Sequence, residues 1–371
     1  MIFIYICTMF EELQPILVTE NHNASFPLLK GKLIIAGPCS VESHGQIVET
    51  ALELASKVSP DILRAGIWKP RTQPGCFEGL GGKALPWLVE AADAIGVPSA
   101  TEVGNAGHAI QALRAGVKVL WIGARTSVNP FAVQEIAEAV ASEAPDTAVL
   151  VKNPVNPDIE LWIGALKRLY DCGLRRIGAV HRGFSVYNPA PYRNRPIWQI
   201  PLELHRRIPG LQIIHDPSHT GGNAALLQQL SQSALDRGFD GLMIESHMEP
   251  DTALSDGGQQ ITPQQLHELL SQLSVSRPTA DSDFLDEMRG KIDECDEELL
   301  SILARRMDLC RKVGDYKRQE GLQIVQPDRY RRLLSTLAER GRDLGLSQEF
   351  VKDLLELVHD ESVRLQIERG K

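Results

Sequence analysis

Eight short apolar runs punctuate residues 32–247: KLIIAGPCS, DILRAGIW, VPSATEV, KVLWIGART, AVLVKNP, RRIGAVHRG, LQIIHDPSH and GLMIESH. The segments between them have helical character, as in NPFAVQEIAEAVASEA and GNAALLQQLSQSALDRG. Continuous apolar strands that alternate with helices are buried on both faces, so they belong to a parallel sheet covered by helices. Eight such units in this length suit closure into a (β/α)8 TIM barrel. A doubly wound open sheet is the alternative.

The pattern changes after SQLSVSRPTADSD. Residues 274–283 read as a linker, rich in Ser, Pro, Thr and Asp. Beyond it no strand pattern remains. Phe284, Met288, Ile292, Cys295, Leu299, Ile302, Met307, Leu309 and Val313 fall near helical spacing, giving one long amphipathic helix. Gly321 and Pro327 break it. A second helix runs to about Arg340, and a third follows Ser347 to the end of the sequence. The organisation expected is a leader at 1–30, a barrel at 31–273, the linker, and an all-α three-helix domain at 284–371. Three helices in this length hold little core, which favours self-association into a homodimer.

The formal net charge of -9 argues against nucleic acid as a partner. Local clusters of cations in an acidic chain point instead to small anionic ligands. Cys7, Cys39, Cys76, Cys172, Cys295 and Cys310 show no paired spacing, as expected of a reduced, cytoplasmic protein. The opening MIFIYICTMF is too short to span a bilayer and lacks the basic flank of a signal peptide, so no membrane partner is expected. Met9 is an alternative start.

The ends of the eight runs carry ionisable residues: Cys39, Arg64, Glu102, Arg125, Lys152, His181, Arg182, Asp216, His219, Glu245 and His247. Barrel enzymes build their sites at this C-terminal rim. Two groups stand out. Arg64, Lys69, Arg71, Arg125, Lys152 and Arg182 are cations whose common target is phosphate or carboxylate. Cys39, His219, Glu245 and Asp256 are potential ligands of S, N, O and O type, a mixture that suits Mn, Fe, Co or Zn better than Mg or Ca.

The motifs AGPCS, KPRT, IGART, VKNP, HRGFS, DPSHTGG and LSDGGQQ occur in that order. Together they resemble the metal-dependent 3-deoxy-D-arabino-heptulosonate 7-phosphate (DAHP) synthases of the short-barrel, type I beta subfamily, over about Leu33 to Leu273. The resemblance implies condensation of phosphoenolpyruvate with erythrose 4-phosphate, at the entry to the shikimate pathway. It implies that Cys39, His219, Glu245 and Asp256 hold the metal. Arg64, Lys69, Arg125, Lys152 and Arg182 would bind phosphoenolpyruvate. Lys69, Pro70, Arg71 and Thr72 would receive erythrose 4-phosphate, with Lys69 as the proton donor. The related octulosonate 8-phosphate synthases carry an Asn-Arg-Ser type sequence at KPRT, so Pro-Arg-Thr points to the four-carbon sugar.

In the helical region, Arg289 and Arg306 are 17 residues apart, roughly 25 Å along a helix axis. Arg306 and Lys317 are about 16 Å apart, near enough for long side chains to grasp one dianion. Arg289 can join them only from a second copy of the chain. LDEMRGKIDECDEELLSILARRMDLCRKVGDYK, then QPDRY and HDESVRLQ, resemble the all-helical (AroQ-class) chorismate mutases from about Phe284 to Arg369. The resemblance implies an intertwined dimer and a pericyclic rearrangement of chorismate to prephenate that needs no cofactor. Arg289, Arg306, Lys317, Arg329, Ser362 and Gln366 match the family's binding positions, with Lys317 and Gln366 stabilising charge on the breaking ether oxygen. Gln326 and Tyr330 depart from the acidic residues common there. A helical domain that binds a pathway product is also expected to serve the barrel as a prephenate sensor; a non-catalytic sensor is the alternative reading.

Overall fold

The structure is a computed structural model and describes residues 10–17, 26–70, 75–187, 189–275, 283–325 and 327–368. The chain divides into two compact units, Met1–Ser276 and Arg277–Lys371.

In the first unit every apolar run contains a strand: β1 (Leu33–Gly37), β2 (Ile62–Arg64), β3 (Ser99–Val103), β4 (Val119–Ile122), β5 (Ala148–Lys152), β6 (Ile177–His181), β7 (Gln212–His215) and β8 (Gly241–Glu245). All neighbours are parallel, and β1 pairs with β8 from Leu33↔Gly241 to Gly37↔Glu245, closing the barrel. Closure excludes the open sheet. The intervening helices are α1 (His44–Lys57), α2 (Leu85–Ala94), α3 (Ala106–Arg114), α4 (Pro130–Glu143), α5 (Ile159–Asp171), α6 (Gln199–Arg207), the short α7 (Pro217–Gly221), α8 (Leu227–Leu235) and α9 (Pro263–Gln272).

Local chemistry sets the helix starts. Ser43, Asn105, Asn129 and Asp158 each accept a backbone N–H with their side chains at the N-caps of α1, α3, α4 and α5. Thr262 and Gln265 form a reciprocal capping box at α9. Alternation along the strands divides the core in two. Leu33, Ile35, Ile62, Val119, Trp121, Leu150, Val180 and Ile214 form the cluster that fills the barrel, while Ile34, Ala36, Leu63, Leu120 and Val149 pack against the helices.

Part of the leader belongs to this core. Ile16 is fully buried within the interior cluster. Its N–H donates to Gln212 Oε1 at 2.7 Å, and its carbonyl accepts from Arg176 Nη2 at 2.6 Å. Gly178 gives Ile16 its room, because a Cβ at 178 would stand 2.7 Å from Ile16 Cδ1 and one of the two side chains would have to shift. Ile16 therefore plugs the end of the barrel from which the strands start, leaving the opposite rim for chemistry.

The second unit comprises α10 (Asp283–Gln319), α11 (Pro327–Asp343) and α12 (Gln348–Glu368). Its described core is slight: Ala338 and Val351 are buried, while Ile292, Leu299, Ile302, Leu309 and Val313 lie exposed along α10. Gly314 allows α12 to approach closely, since a Cβ would lie 2.9 Å from Gln366 Cγ.

Candidate active sites

The rim residues converge. Arg64 ends β2 in full burial and donates from Nη1 to Glu245 Oε1 at 2.7 Å, across the barrel on β8. Its Nε is buried without a partner, a donor left over for a ligand. Lys69 donates from Nζ to Cys39 Sγ at 2.9 Å and to Cys39 O at 3.1 Å. Lys152, at the end of β5, pairs with Asp216 at 2.7 Å. Arg182, just past β6, donates from Nη1 to Asn194 Oδ1 and through its backbone N–H to Asn153 Oδ1, both at 2.7 Å. Arg125 lies exposed in the turn after β4, near enough to Arg182 to contribute to its lowered pKa. Pro70 is exposed. Arg71 and Thr72 lie outside the described residues.

Two of these cations lie against Trp121, which is fully buried on β4. The Arg64 guanidinium carbon is 4.8 Å from its ring centre and Lys152 Nζ is 5.7 Å away. The indole N–H donates to Glu102 Oε2 at 3.0 Å. Two cations thus lie against one aromatic ring, which the sequence reading missed because Trp121 lies inside an apolar run.

The four candidate ligands meet in pairs. Cys39 Sγ is 3.5 Å from Asp256 Oδ2, and His219 Nε2 is 3.7 Å from Glu245 Oε1. His219 is placed by the first turn of α7, where its N–H is capped by Asp216 Oδ1 at 3.0 Å. No three His, Cys, Asp or Glu side chains among the described residues stand close enough together to hold an ion as they are. The donor set nonetheless fits a divalent transition metal, because a cation already lies against the sulfur in the form of the Lys69 ammonium.

Charges here are strongly coupled. Burial, then Glu245, push the Cys39 thiol up to about 12, against Lys69 and Arg64. Burial would depress the Lys69 ammonium, but Cys39 and Glu245 outweigh it and its pKa stands above the ordinary value. Burial would raise the Glu245 carboxyl, yet His219, Arg64 and Lys69 bring it to about 2. Asp216 is likewise held well below the ordinary range by His219 and Lys152 against its burial. Burial brings Arg182 down to about 10. At neutral pH the rim therefore offers firm cations alongside ionised carboxylates that occupy some of them.

The helical unit holds a cavity of about 380 Å³ lined by Arg306, Lys317, Arg329, Ser362 and Gln366, among others. Arg306 Nη1 donates to Ser362 Oγ, and Lys317 Nζ to Ile324 O at 2.6 Å. Gln366 Nε2 donates to Ser362 O at 3.1 Å, while its Oε1 is buried without a partner. Tyr330 stacks on His359 at 3.9 Å and both line the cavity. His359 was not legible beforehand, and Gln326 lies outside the described residues. Arg289 is exposed and does not line the cavity.

A family model described as the DAHP synthetase I family matches residues 29–279, and one described as chorismate mutase type II matches residues 288–367. A phospho-2-dehydro-3-deoxyheptonate aldolase of Thermotoga maritima is 34% identical over 240 residues, covering 65% of this chain and 68% of that protein. A 4-amino-4-deoxychorismate mutase of Streptomyces pristinaespiralis is 32% identical over 91 residues, covering 24% of this chain and 70% of its own. The crystal structure of a DAHP synthase from Thermotoga maritima superposes with a TM-score of 0.58 at 31% identity, covering 68% of this chain and 71% of that one.

Proposed function

The chain belongs to the DAHP synthetase I family over residues 29–279, and from that premise we propose that its barrel joins phosphoenolpyruvate to D-erythrose 4-phosphate, releasing DAHP and phosphate. The helical unit is a chorismate mutase domain, and the chain is a bifunctional enzyme of aromatic biosynthesis. The observation that carries the barrel reading is the convergence of Arg64, Lys69, Lys152 and Arg182 at one rim, two of them against the Trp121 ring, next to a thiol, an imidazole and carboxylates.

Arg64, Lys69, Arg125, Lys152 and Arg182 bind the phosphate and carboxylate of phosphoenolpyruvate, and the unpartnered Arg64 Nε supports an anion there. Lys69, Pro70, Arg71 and Thr72 bind the sugar phosphate. Massed cations offset the repulsion between two anions held close together. The new bond joins the enol carbon of phosphoenolpyruvate to the aldehyde carbon, water adds at the carbon bearing phosphate, and phosphate departs. Lys69 gives a proton to the former aldehyde oxygen, and its raised pKa keeps it charged for that task. Cys39, His219, Glu245 and Asp256 would hold a divalent ion, whose Lewis acidity would polarise the aldehyde.

In the helical unit Arg306 and Arg329 bind the substrate carboxylates, Ser362 orients Arg306, and Lys317 and Gln366 stabilise charge on the breaking ether oxygen. Arg289 enters the site from a second copy. The exposed stripe Ile292, Leu299, Ile302 and Leu309 supports such a dimer. Tyr330, where an acidic residue is common in the family, and His359 line the cavity, and together with the Streptomyces relative they favour testing 4-amino-4-deoxychorismate as a second substrate. Among the described residues no helix is long and apolar enough to cross a membrane. The unpaired cysteines support a cytoplasmic setting.

A single purified sample tests these readings. Chelation should abolish DAHP synthesis, Mn or Co should restore it, and mutase turnover should be untouched. Full synthesis by metal-free protein would remove the metal from the reading. Equal kcat/KM for erythrose 4-phosphate and arabinose 5-phosphate would remove the sugar assignment.

A further inference from the structure

The segment LSDGGQQ supplies Asp256 to the donor set, and its last two residues have no part so far. Both are enclosed, with Gln259 2% and Gln260 3% exposed. Burying a long amide at such depth is costly unless its hydrogen bonds are met. Gln259 Oε1 accepts from Arg193 Nη1 at 2.8 Å, and its Nε2 donates to Glu245 Oε2 at 2.6 Å. A guanidinium only donates and a carboxylate only accepts, so the amide has one orientation. The same Arg193 nitrogen reaches Asp256 Oδ1 at 3.2 Å. Gln260 turns the other way. Its Oε1 accepts the Cys39 backbone N–H at 2.9 Å, and its Nε2 donates to Ser255 O at 2.9 Å. That orientation is fixed by the same logic.

Two consecutive side chains therefore tie the Asp256 loop to β8 and to the segment after β1. Gln259 occupies Glu245 Oε2, so that Oε1, which also accepts from Arg64, is the oxygen beside His219 Nε2. Gln260 fixes the backbone of Cys39. The loop needs such ties: Asp256 has φ +50°, uncommon for a residue with a side chain, and Gly257 packs so closely that a Cβ would lie 2.5 Å from Pro250 O.

We propose that Gln259 and Gln260 are positioning residues for the barrel's divalent metal, holding Glu245, Cys39 and Asp256 in register so that the donors can close around one ion. The inference rests on the metal reading above. Partners that orient metal ligands govern affinity as well as activity, typically by 10–100-fold.

The test is a titration of the full-length, metal-free protein with Co2+ alone, in competition with a chromophoric chelator and with the thiolate-to-cobalt charge-transfer band recorded. Gln259→Met and Gln260→Met keep chain length and remove both hydrogen bonds. Each should bind Co2+ about 10–100-fold more weakly than the unaltered protein, with a shifted band, while circular dichroism shows the barrel folded. Unaltered affinity and an unshifted band in both variants would overturn the proposal. Failure of the unaltered protein to bind Co2+ would instead overturn the metal reading, and this inference with it. Should methionine at either position prevent folding, Gln259→Asn, whose shorter amide cannot span Arg193 and Glu245, decides by the same two readouts.

Discussion

Trp121 shows how one residue can set the spacing of two others. Arg64 and Lys152 would repel each other, and a shared ring lets both approach one anion. Cation–π contacts in a desolvated site contribute about 2 kcal/mol each. Trp121→Leu should accordingly raise KM for phosphoenolpyruvate on the order of tenfold or more. Trp121→Phe keeps a face but loses the bond to Glu102, and should do less harm; steady-state kinetics check the order. A second pair of buried residues, His181 and His215, governs stability instead. His181 Nε2 donates to Pro196 O at 2.6 Å, so its Nδ1 is the acceptor for His215 Nδ1 at 3.1 Å. Burial lowers both, His215 to about 3. Below about pH 6.5 the unfolded chain takes up protons that the folded chain refuses, so stability falls with pH until the folded value is reached. For His215 the loss is about 1.4 kcal/mol per pH unit, or roughly 2 kcal/mol at pH 5. His215→Asn keeps a donor and removes the ionisable ring, so urea midpoints measured from pH 7 to 4 should decline less steeply. Cys39, Arg64, Lys152, His219 and Glu245 were legible in the sequence because each follows an apolar run. Gln259, Gln260, Arg193 and Asn194 were not, because isolated polar residues in loops have no period and acquire partners only when the barrel closes.

At the scale of elements, the strands were legible because burial on both faces leaves an apolar signature, and the helices because the segments between the runs have helical character. Ile16 left no such signature: one buried side chain beside a proline resembles any loop until Gly178 is seen to make room for it. In the helical unit the three helices follow the expected breaks, but the closeness of α10 and α12 depends on a single glycine. Alanine at 314 would improve helix propensity by about 1 kcal/mol. Its Cβ would also meet Gln366 at Cγ, Cα and Cβ, at 2.9, 3.1 and 3.1 Å. Backbone cannot swing aside as a side-chain tip can, so α12 must shift, and overpacking of this kind costs about 1–3 kcal/mol. Gly314→Ala should therefore lower mutase kcat/KM on the order of tenfold, because Gln366 and Ser362 move with α12. DAHP synthesis, assayed on the same sample, should be unchanged. Equal losses in both activities would mean that the substitution acts through general unfolding.

At the scale of the whole molecule, two compact units carry sites for the start and a later step of one route. We propose that prephenate, held in the helical cavity, restrains the barrel. Coupling between two sites requires the ligand to favour one state of the chain over another, and is commonly worth about 1–3 kcal/mol, or 5–150-fold. The proposal includes a second copy, because Arg289 lies roughly 25 Å from Arg306 along the helix, too far for one small ligand to touch both within a single chain. Three results should then occur together. Prephenate should inhibit DAHP synthesis in the unaltered chain, and Arg306→Ala should remove the inhibition while leaving the uninhibited rate intact. Leu299→Glu combined with Ile302→Glu should dissociate the proposed dimer in light scattering and abolish both inhibition and mutase turnover. By linkage, phosphoenolpyruvate with metal should weaken prephenate binding, measured by calorimetry, by the same factor by which prephenate weakens theirs. Inhibition that persists in Arg306→Ala would put the effector elsewhere. Weakening that keeps growing as prephenate is raised, instead of levelling off at a fixed factor, would mean that prephenate competes at the barrel rim itself, where its two carboxylates would meet the same cations.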